Sequence, residues 1–101
     1  MSEPIRKYYD NGQINYEEYW VNGETHRTDG PAVTWWYVTG QKYGEVYYVN
    51  NKRHRTDGPA EIVWDENGDI IMQEFCLDGK QVTAYDVLDE KAAFAWVMAN
   101  D

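Results

Sequence analysis

A seven-residue segment occurs twice in this chain without any change. The sequence His-Arg-Thr-Asp-Gly-Pro-Ala fills residues 26–32 and returns at residues 54–60, 28 residues later. Self-similarity at a fixed period indicates a chain built from repeated units, each of which packs against its neighbour. The duplication therefore constrains the fold more than any other feature of the sequence.

The same spacing organises most of the chain. Glycines recur at positions 12, 40 and 68, and aromatic residues recur at positions 19, 47 and 75. We therefore predict three repeats, 5–32, 33–60 and 61–88. The last repeat lacks the seven-residue segment, which is typical of terminal units because they have no further neighbour. With 101 residues in total, the chain is expected to form a single domain, 1–101.

Each repeat predicts a β-hairpin. In the second repeat, β-branched and aromatic residues 33–37 precede a Thr-Gly turn and a second strand-like run over 43–49. The equivalent turns, 11–12 and 67–68, are Asn-Gly pairs, which favour a type I′ turn with positive φ at both central residues. At a second turn position Asn51 aligns with two glycines and suits left-handed backbone. The predicted fold is mostly β, an antiparallel meander of about six strands.

The duplicated segment, called the heptapeptide below, is expected to link one hairpin to the next. Its Asp-Gly pair would form a turn with left-handed glycine, and its proline would open a strand where no ladder N–H is needed. Arginine would pair with acidic or carbonyl groups, histidine would bind backbone and aspartate would cap the turn. Repetition favours this structural role, because a catalytic group is needed only once. The residues concerned are His26, Arg27, Asp29, Gly30, Pro31, His54, Arg55, Asp57, Gly58 and Pro59.

Alternation along the strands assigns two faces. Positions 19, 47 and 75, with positions 21, 49 and 77, are expected to face the core. The opposite face has more aromatic side chains than one buried face requires, so these either stack on the sheet or form a recognition surface. Nearby acidic residues are either a solvated face or part of that surface. The candidate binding residues are Trp20, Trp35, Tyr48, Glu61, Asp65, Glu66 and Asp69.

The C-terminal segment predicts an α-helix over about 84–99. Alanine is frequent there, and Thr83 with Asp86 resembles an N-capping arrangement. We expect the helix to pack on the last hairpin; the alternative is that its apolar surface forms a homodimer. The expected apolar stripe consists of Leu88, Ala92, Ala95, Trp96 and Ala99, widened by Phe94, Val97 and Met98.

The charge is strongly acidic and unevenly distributed. The net charge is -9, and residues 1–55 are neutral, so the remainder carries the whole excess. Direct binding to nucleic acid or to an anionic membrane is disfavoured, because both require Lys and Arg clusters. A basic partner protein is one explanation of the charge, and solubility is the other.

No constellation of side chains points to catalysis. The chain has two histidines and one cysteine, Cys76, which is expected to be a packed side chain. This is too few ligands for a zinc site, and no Gly-rich phosphate loop is present. We therefore predict no enzyme activity, no catalytic residues, no metal and no cofactor. No apolar run is long enough for a membrane span or a secretory signal, so we expect a cytoplasmic protein, in the host cytoplasm if viral.

The turns, the aromatic strand pairs and the His-Arg-x-Asp-Gly-Pro-Ala segment resemble the MORN-variant repeats (membrane occupation and recognition nexus). They are similar in particular to short repeat proteins of bacteriophages and large DNA viruses. The resemblance covers residues 5 to about 80. It implies hairpin repeats in an elongated antiparallel sheet, a role in protein interaction and, in related bacterial proteins, an antitoxin role. It implies no catalytic residues.

Three functional hypotheses follow. The first is a non-enzymatic repeat protein that binds and occludes a partner protein through its aromatic and acidic surface, as a phage or viral inhibitor or an antitoxin-like module. The second is an acidic mimic of nucleic acid that inhibits a host defence or DNA-processing enzyme. The third is a structural assembly protein. A mimic should lose affinity steeply as salt screens its charges, whereas an aromatic surface should not.

Overall fold

A computed structural model describes residues 4–100. The predicted class, mostly β with a C-terminal helical segment, is confirmed. The elements in chain order are β1 Ile5–Tyr8, β2 Ile14–Glu18, β3 Trp20–Val21, β4 Glu24–Thr25, β5 Val33–Trp36, β6 Lys42–Val46, β7 Tyr48–Val49, β8 Lys52–Arg53, β9 Glu61–Trp64, β10 Ile70–Leu77, β11 Lys80–Val82, α1 Ala84–Val87 and α2 Glu90–Asn100.

Seven strands form one antiparallel sheet in the order β1-β2-β5-β6-β9-β10-β11. The hairpins β1–β2, β5–β6 and β9–β10 lie side by side, and the second strand of each hairpin pairs with the first strand of the next. Tyr16 is thus opposite Trp35, and Gly44 is opposite Val63. The short strands β3–β4 and β7–β8 form two separate ribbons that follow the first two hairpins.

The turns of the hairpins differ from the expected type. At Gly12 the φ is 88°, but Asn11 has no positive φ, so a type I′ turn is ruled out there. The Gly12 N–H donates to the Tyr9 carbonyl (3.0 Å), and the Tyr9 N–H donates to the Gln13 carbonyl (2.8 Å). This is a three-residue loop with a left-handed glycine, whose extra residue is absorbed by a bulge in the following strand. In this loop only the glycine therefore adopts the left-handed backbone conformation, which it tolerates without strain.

Two-residue turns with positive φ at both residues occur at the second turn position instead. Asn50 and Asn51 have φ of 51° and 68°, and Asp78 and Gly79 have φ of 50° and 84°. These turns close the short ribbon β7–β8 and the hairpin β10–β11. Asn and Asp tolerate this conformation because their short polar side chains bond locally.

The molecule is a thin slab. Its principal extents are 44 × 36 × 18 Å and its radius of gyration is 14.6 Å, against about 13 Å for a compact domain of this length. The sheet is a single layer, so burial is shared between its faces. Of the residues expected to face the core at positions 19, 47 and 75, only Phe75 is buried, whereas Val46 and Cys76 are buried on the opposite face.

The predicted single helix is two helices, because the chain leaves the helical path at Leu88, whose backbone is extended. Asp89 then begins α2: its side chain accepts from the Ala92 N–H at 2.8 Å, as an N-cap residue does. The capping arrangement at Thr83 is confirmed, since its N–H and hydroxyl both donate to the Asp86 carboxylate. Neither helix within residues 4–100 has the length and apolarity that crossing a bilayer would require.

The helix α2 packs on the last hairpin through a stripe that only partly agrees with the predicted one. Ala93 is fully buried, and the Trp96 ring meets the Phe75 ring edge-on at 4.7 Å between centroids. Leu88, Trp96 and Val97 of the predicted stripe do pack against the buried cluster. The break at Leu88 restarts the helical phase, so the other members of the predicted stripe turn away from it. Exposed instead are Ala92, Phe94, Ala95, Met98 and Ala99.

In each hairpin one aromatic ring is covered by another side chain: an arginine in the first two hairpins and Trp96 in the last. Arg27 lies over the Tyr19 ring at 4.1 Å, and Arg55 lies over the Tyr47 ring at 4.0 Å. Both arginines come from the heptapeptide, which the last hairpin lacks. The Trp96 ring contacts the equivalent Phe75 ring edge-on there, so the helix covers the ring in place of the missing loop.

Replacing Trp96 by Ala should therefore lower the free energy of unfolding by about 3–5 kcal/mol, as loss of a packed aromatic side chain usually does. The matched control is Phe94→Ala, two residues earlier on the helix, where the side chain is 58% exposed and the loss should stay within about 0.5 kcal/mol. Urea unfolding followed by circular dichroism measures both. Equal losses would contradict the packing of α2 described here.

Candidate functional site

Each heptapeptide loop is closed by its own arginine. The Arg27 Nε donates to Asp29 (2.8 Å), and its Nη1 donates to the Pro31 carbonyl (3.2 Å). The second loop repeats both bonds, at 2.8 and 3.1 Å. The aspartate was expected to cap the turn, but its carboxylate accepts from the arginine. The Arg27 guanidinium holds the pKa of the Asp29 carboxyl below its usual range.

The two histidines join neighbouring hairpins. The His26 Nδ1 accepts a hydrogen bond from the Asn50 N–H at 2.9 Å, and the His54 Nδ1 accepts one from the Asp78 N–H at 3.0 Å. An accepting Nδ1 belongs to a neutral ring that carries its proton on Nε2. Each ring therefore anchors the two-residue turn of the next hairpin.

The glycines of the loops are required for a different reason from the expected one. Gly30 and Gly58 do not have positive φ. A Cβ at Gly30 would lie 3.1 Å from the Arg27 Cζ, and one at Gly58 would lie 3.0 Å from the Arg55 Cζ. Glycine is thus needed because the guanidinium occupies the space of a side chain.

The two loops are adjacent and line a shallow trough. Its walls include Arg27, Asp29, His54, Arg55 and Asp57, with the Tyr47 ring at its side. Within residues 4–100, no group of three or more His, Cys, Asp or Glu side chains is placed to hold a metal ion. The arginines and aspartates bind one another, and the histidine Nδ1 atoms bind backbone. The trough is therefore built from groups that already have partners.

The predicted residue Trp35 lies on one face of the sheet with Tyr16 and Glu18, which the sequence did not indicate. Trp20, on the ribbon β3–β4, donates to Glu18, and Tyr48 lies on the ribbon β7–β8. All five side chains are half-buried. The Tyr16 and Trp35 rings are 5.9 Å apart and tilted. The Glu18 carboxylate accepts from both the Tyr16 hydroxyl and the Trp20 Nε1. These five residues are called the aromatic face below.

The rings of the aromatic face are held in place. Burial, followed by the bond to Glu18, raises the pKa of the Tyr16 phenol, so it stays a hydrogen-bond donor. Trp35 lies over Gly44, directly opposite on β6, where a Cβ would be 3.4 Å from the indole. A glycine inside a strand and the shared parity of residues 16, 18 and 20 were the sequence signals that could have found this cluster.

Glu61 belongs to the same face of the sheet as Glu18, since Val33 and Val46 connect them in one cross-strand row. Its carboxylate accepts from the Arg53 guanidinium at 3.0 Å, and Glu74 shares the same arginine at 3.3 Å. The negative charge at this margin of the aromatic face is therefore partly compensated.

The other predicted acidic residues lie elsewhere, at the turn between β9 and β10. Asp65 is a turn-forming residue, because its side chain accepts from the N–H groups of Asn67 (2.9 Å) and Asp69 (3.0 Å). Glu66 and Asp69 are exposed. The predicted binding set is thus divided into an aromatic face with Glu61 and a separate acidic turn.

Comparison with known proteins identifies no relative of this chain. No protein-family pattern, no curated protein and no solved structure matches this chain. The functional proposal therefore depends on the aromatic face, the acidic turn and the heptapeptide loops.

The steric account of the loops predicts a non-additive pair of substitutions. Gly58→Ala should destabilise the protein by about 1–3 kcal/mol, because the new methyl group displaces the Arg55 side chain. In an Arg55→Ala background the same change should cost much less. Gly12→Ala is the control: nothing lies within 4 Å of its Cβ, so its cost of about 1 kcal/mol from positive φ should not depend on Arg55. Additive costs for Gly58→Ala would refute the account.

Cys76 provides a chemical test of the sheet. Its side chain is fully buried, and burial raises the pKa of its thiol. Because the thiolate is the reactive form, the native protein at pH 8 should react with Ellman's reagent far more slowly than the unfolded protein in guanidinium chloride. Native and unfolded rates that coincide would show that this part of β10 is not packed as described.

Proposed function

We propose that this chain is a non-enzymatic repeat protein that binds another protein through its aromatic face and occludes a site on it. This matches the interaction role implied by the resemblance to MORN-variant repeats of phages and large DNA viruses, an inhibitor or antitoxin-like module. One observation carries the proposal: within residues 4–100, the four aromatic side chains of this face are only half-buried and lie outside the cluster that the two helices cover.

Leaving aromatic surface in contact with water costs free energy. Soluble monomers rarely expose contiguous apolar patches unless these bind something. Tyr and Trp are enriched at the centres of protein interfaces because they contribute large contact area with few torsions to restrict. The bonds of Glu18 and the seat of Trp35 on Gly44 restrict the rings before any partner arrives. Such preorganisation lowers the entropic cost of binding.

The chemistry of the face points to a partner with an apolar anchor and basic groups around it. Trp35 and Tyr16 offer the apolar centre, and Glu18 and Glu61 add carboxylates beside it. The overall charge of -9 would accelerate the approach of a basic protein.

The second candidate, a nucleic-acid mimic, is favoured by the exposed acidic turn of Glu66 and Asp69. Much of the remaining acidic charge on the sheet is already paired: Glu17 binds Arg6 at 2.7 Å, Glu45 binds Lys42 at 3.1 Å, and Glu61 binds Arg53. These pairs break up a continuous line of negative charge. The aromatic face therefore supports the first candidate better.

A tagged pull-down at low and high salt, with mass spectrometry and with variants on each surface, tests the proposal. Trp35→Ala should weaken partner binding at least tenfold at either salt concentration, as loss of a central aromatic anchor does. The matched control is Trp36→Ala, the next residue of the same strand, whose side chain lies on the other face. It should retain binding, and circular dichroism should show that both variants are folded.

The mimic makes the opposite prediction. If Glu66→Gln with Asp69→Asn abolishes capture of a basic protein, high salt also releases it and Trp35→Ala has no effect, the acidic turn is the binding site. That outcome would overturn the aromatic proposal.

A further inference from the structure

The sheet has two edges without a strand partner in the part of the chain that the structure describes. At one end, β1 pairs only with β2. At the other end, residues 70–74 of β10 pair only with β9, because β11 pairs with Phe75–Leu77. A free edge offers its backbone N–H and C=O groups to any strand that approaches in register.

The internal ladders show which strand fits each edge. The second strand of one hairpin pairs with the first strand of the next, in β2–β5 and again in β6–β9. Among residues 4–100, β10 is a second strand with no successor, and β1 is a first strand with no predecessor. The pair Gly44 and Val63 shows the register of such a junction. The residue equivalent to Gly44 in the last hairpin is Met72, and the residue equivalent to Val63 in the first hairpin is Lys7, so Met72 of one copy would lie opposite Lys7 of the next. The pair Glu45 and Ile62 likewise corresponds to Gln73 opposite Arg6.

We propose that copies of this chain associate head to tail, with β1 of one copy paired antiparallel to residues 72–74 of β10 of another. The contact is heterologous, since it uses two different edges of the same molecule. Such a contact leaves one free edge at each end, so the assembly grows beyond a dimer unless it closes into a ring.

Charge favours this pairing over one between two β1 edges. β1 carries the exposed residue Lys7 beside Arg6, which is paired with Glu17. The last residue of the β10 edge is Glu74, which shares Arg53 with Glu61. Opposite charges across a pair of strands stabilise it and like charges destabilise it. Two β1 edges would bring basic residues together, while the head-to-tail register places Lys7 diagonally across from Glu74.

Burial also favours a predecessor for β1. Ile5 is 49% exposed, whereas Val33, at the equivalent position of the second hairpin, is 5% exposed. The difference follows from position, because another hairpin lies beside Val33 and none lies beside Ile5. At the far edge, Ile70 and Ile71 are 48% and 62% exposed. A head-to-tail contact would bring both apolar edges next to another chain.

The contact is expected to be weak. Inside the molecule, His54 and Arg55 reinforce the junction with the last hairpin by bonds to Asp78 and Cys76. The last hairpin lacks the heptapeptide and cannot supply these bonds to a following copy. The bond between Asn100 of α2 and Gln73 joins two side chains, so it does not use the backbone of the edge. Association should therefore depend on concentration.

Disulfide trapping tests the register. In a Cys76→Ala background, copies with Lys7→Cys and copies with Met72→Cys are mixed and oxidised gently. The mixed disulfide should form well over the half of all dimers expected from random pairing. The control mixes Ile5→Cys with Met72→Cys, a pair displaced by two residues on the same face, about 7–8 Å apart and too far for the usual Cβ separation in a disulfide. Its yield should be several-fold lower.

A chain with both Lys7→Cys and Met72→Cys should give a ladder of covalent multimers, and the unmodified protein should gain mass with concentration in sedimentation. Trp35→Ala, which tests the aromatic face, should leave the disulfide yield unchanged, so the two proposals can fail separately. A monomer at every concentration, equal yields for the two pairs, or a majority of Lys7→Cys homodimers would overturn the proposal. Self-association that Phe94→Glu abolishes would assign the contact to α2 instead.

Discussion

The arginine of the heptapeptide loop is the interaction on which the rest of the structure depends. The Arg27 N–H donates to the Tyr48 carbonyl of the next hairpin (3.1 Å), its guanidinium closes the loop on Asp29 and Pro31, and the same group stacks on Tyr19. A single-layer sheet has no second layer to cover its faces, so it cannot rely on a large core. A residue whose backbone N–H bonds the next hairpin, and whose side chain closes the loop and covers an aromatic ring, partly replaces that core.

The C-terminal helices complete this arrangement where the heptapeptide is missing. Phe75, Ala84 and Ala93 form a small buried cluster, and Trp96 meets edge-on the ring that corresponds to those covered by arginine. The exchange of a cation for an indole is physically reasonable, because both are flat groups that bind an aromatic ring. The difference is that the helix also buries apolar area on this face of the last hairpin.

A slab without a second layer leaves surfaces free for binding. The heptapeptide loops are bound to themselves and to the neighbouring hairpins, so their duplication is explained by structure. The aromatic face has no such use in the described chain, and its rings are held by Glu18 and Gly44. The loops are thus explained by bonds within the fold, whereas the half-buried rings of the aromatic face lie outside the cluster that the helices cover, which is why the functional proposal rests on this face.

The duplicated heptapeptide and the two-residue alternation were sufficient to predict hairpins and the antiparallel sheet, and the alanine-rich, capped segment predicted a helical C-terminus, because these depend on local sequence. Three features were not predictable in this way. They are the turn type at Asn11-Gly12, the phase of α2 after Asp89, and the hydrogen bonds that join Tyr16, Glu18 and Trp20. They depend on bulges, caps and hydrogen bonds that exist only once strands are paired and ends are packed. The separation of Asp65 from the aromatic face has the same origin, since proximity along the chain does not determine which end of a sheet a residue occupies.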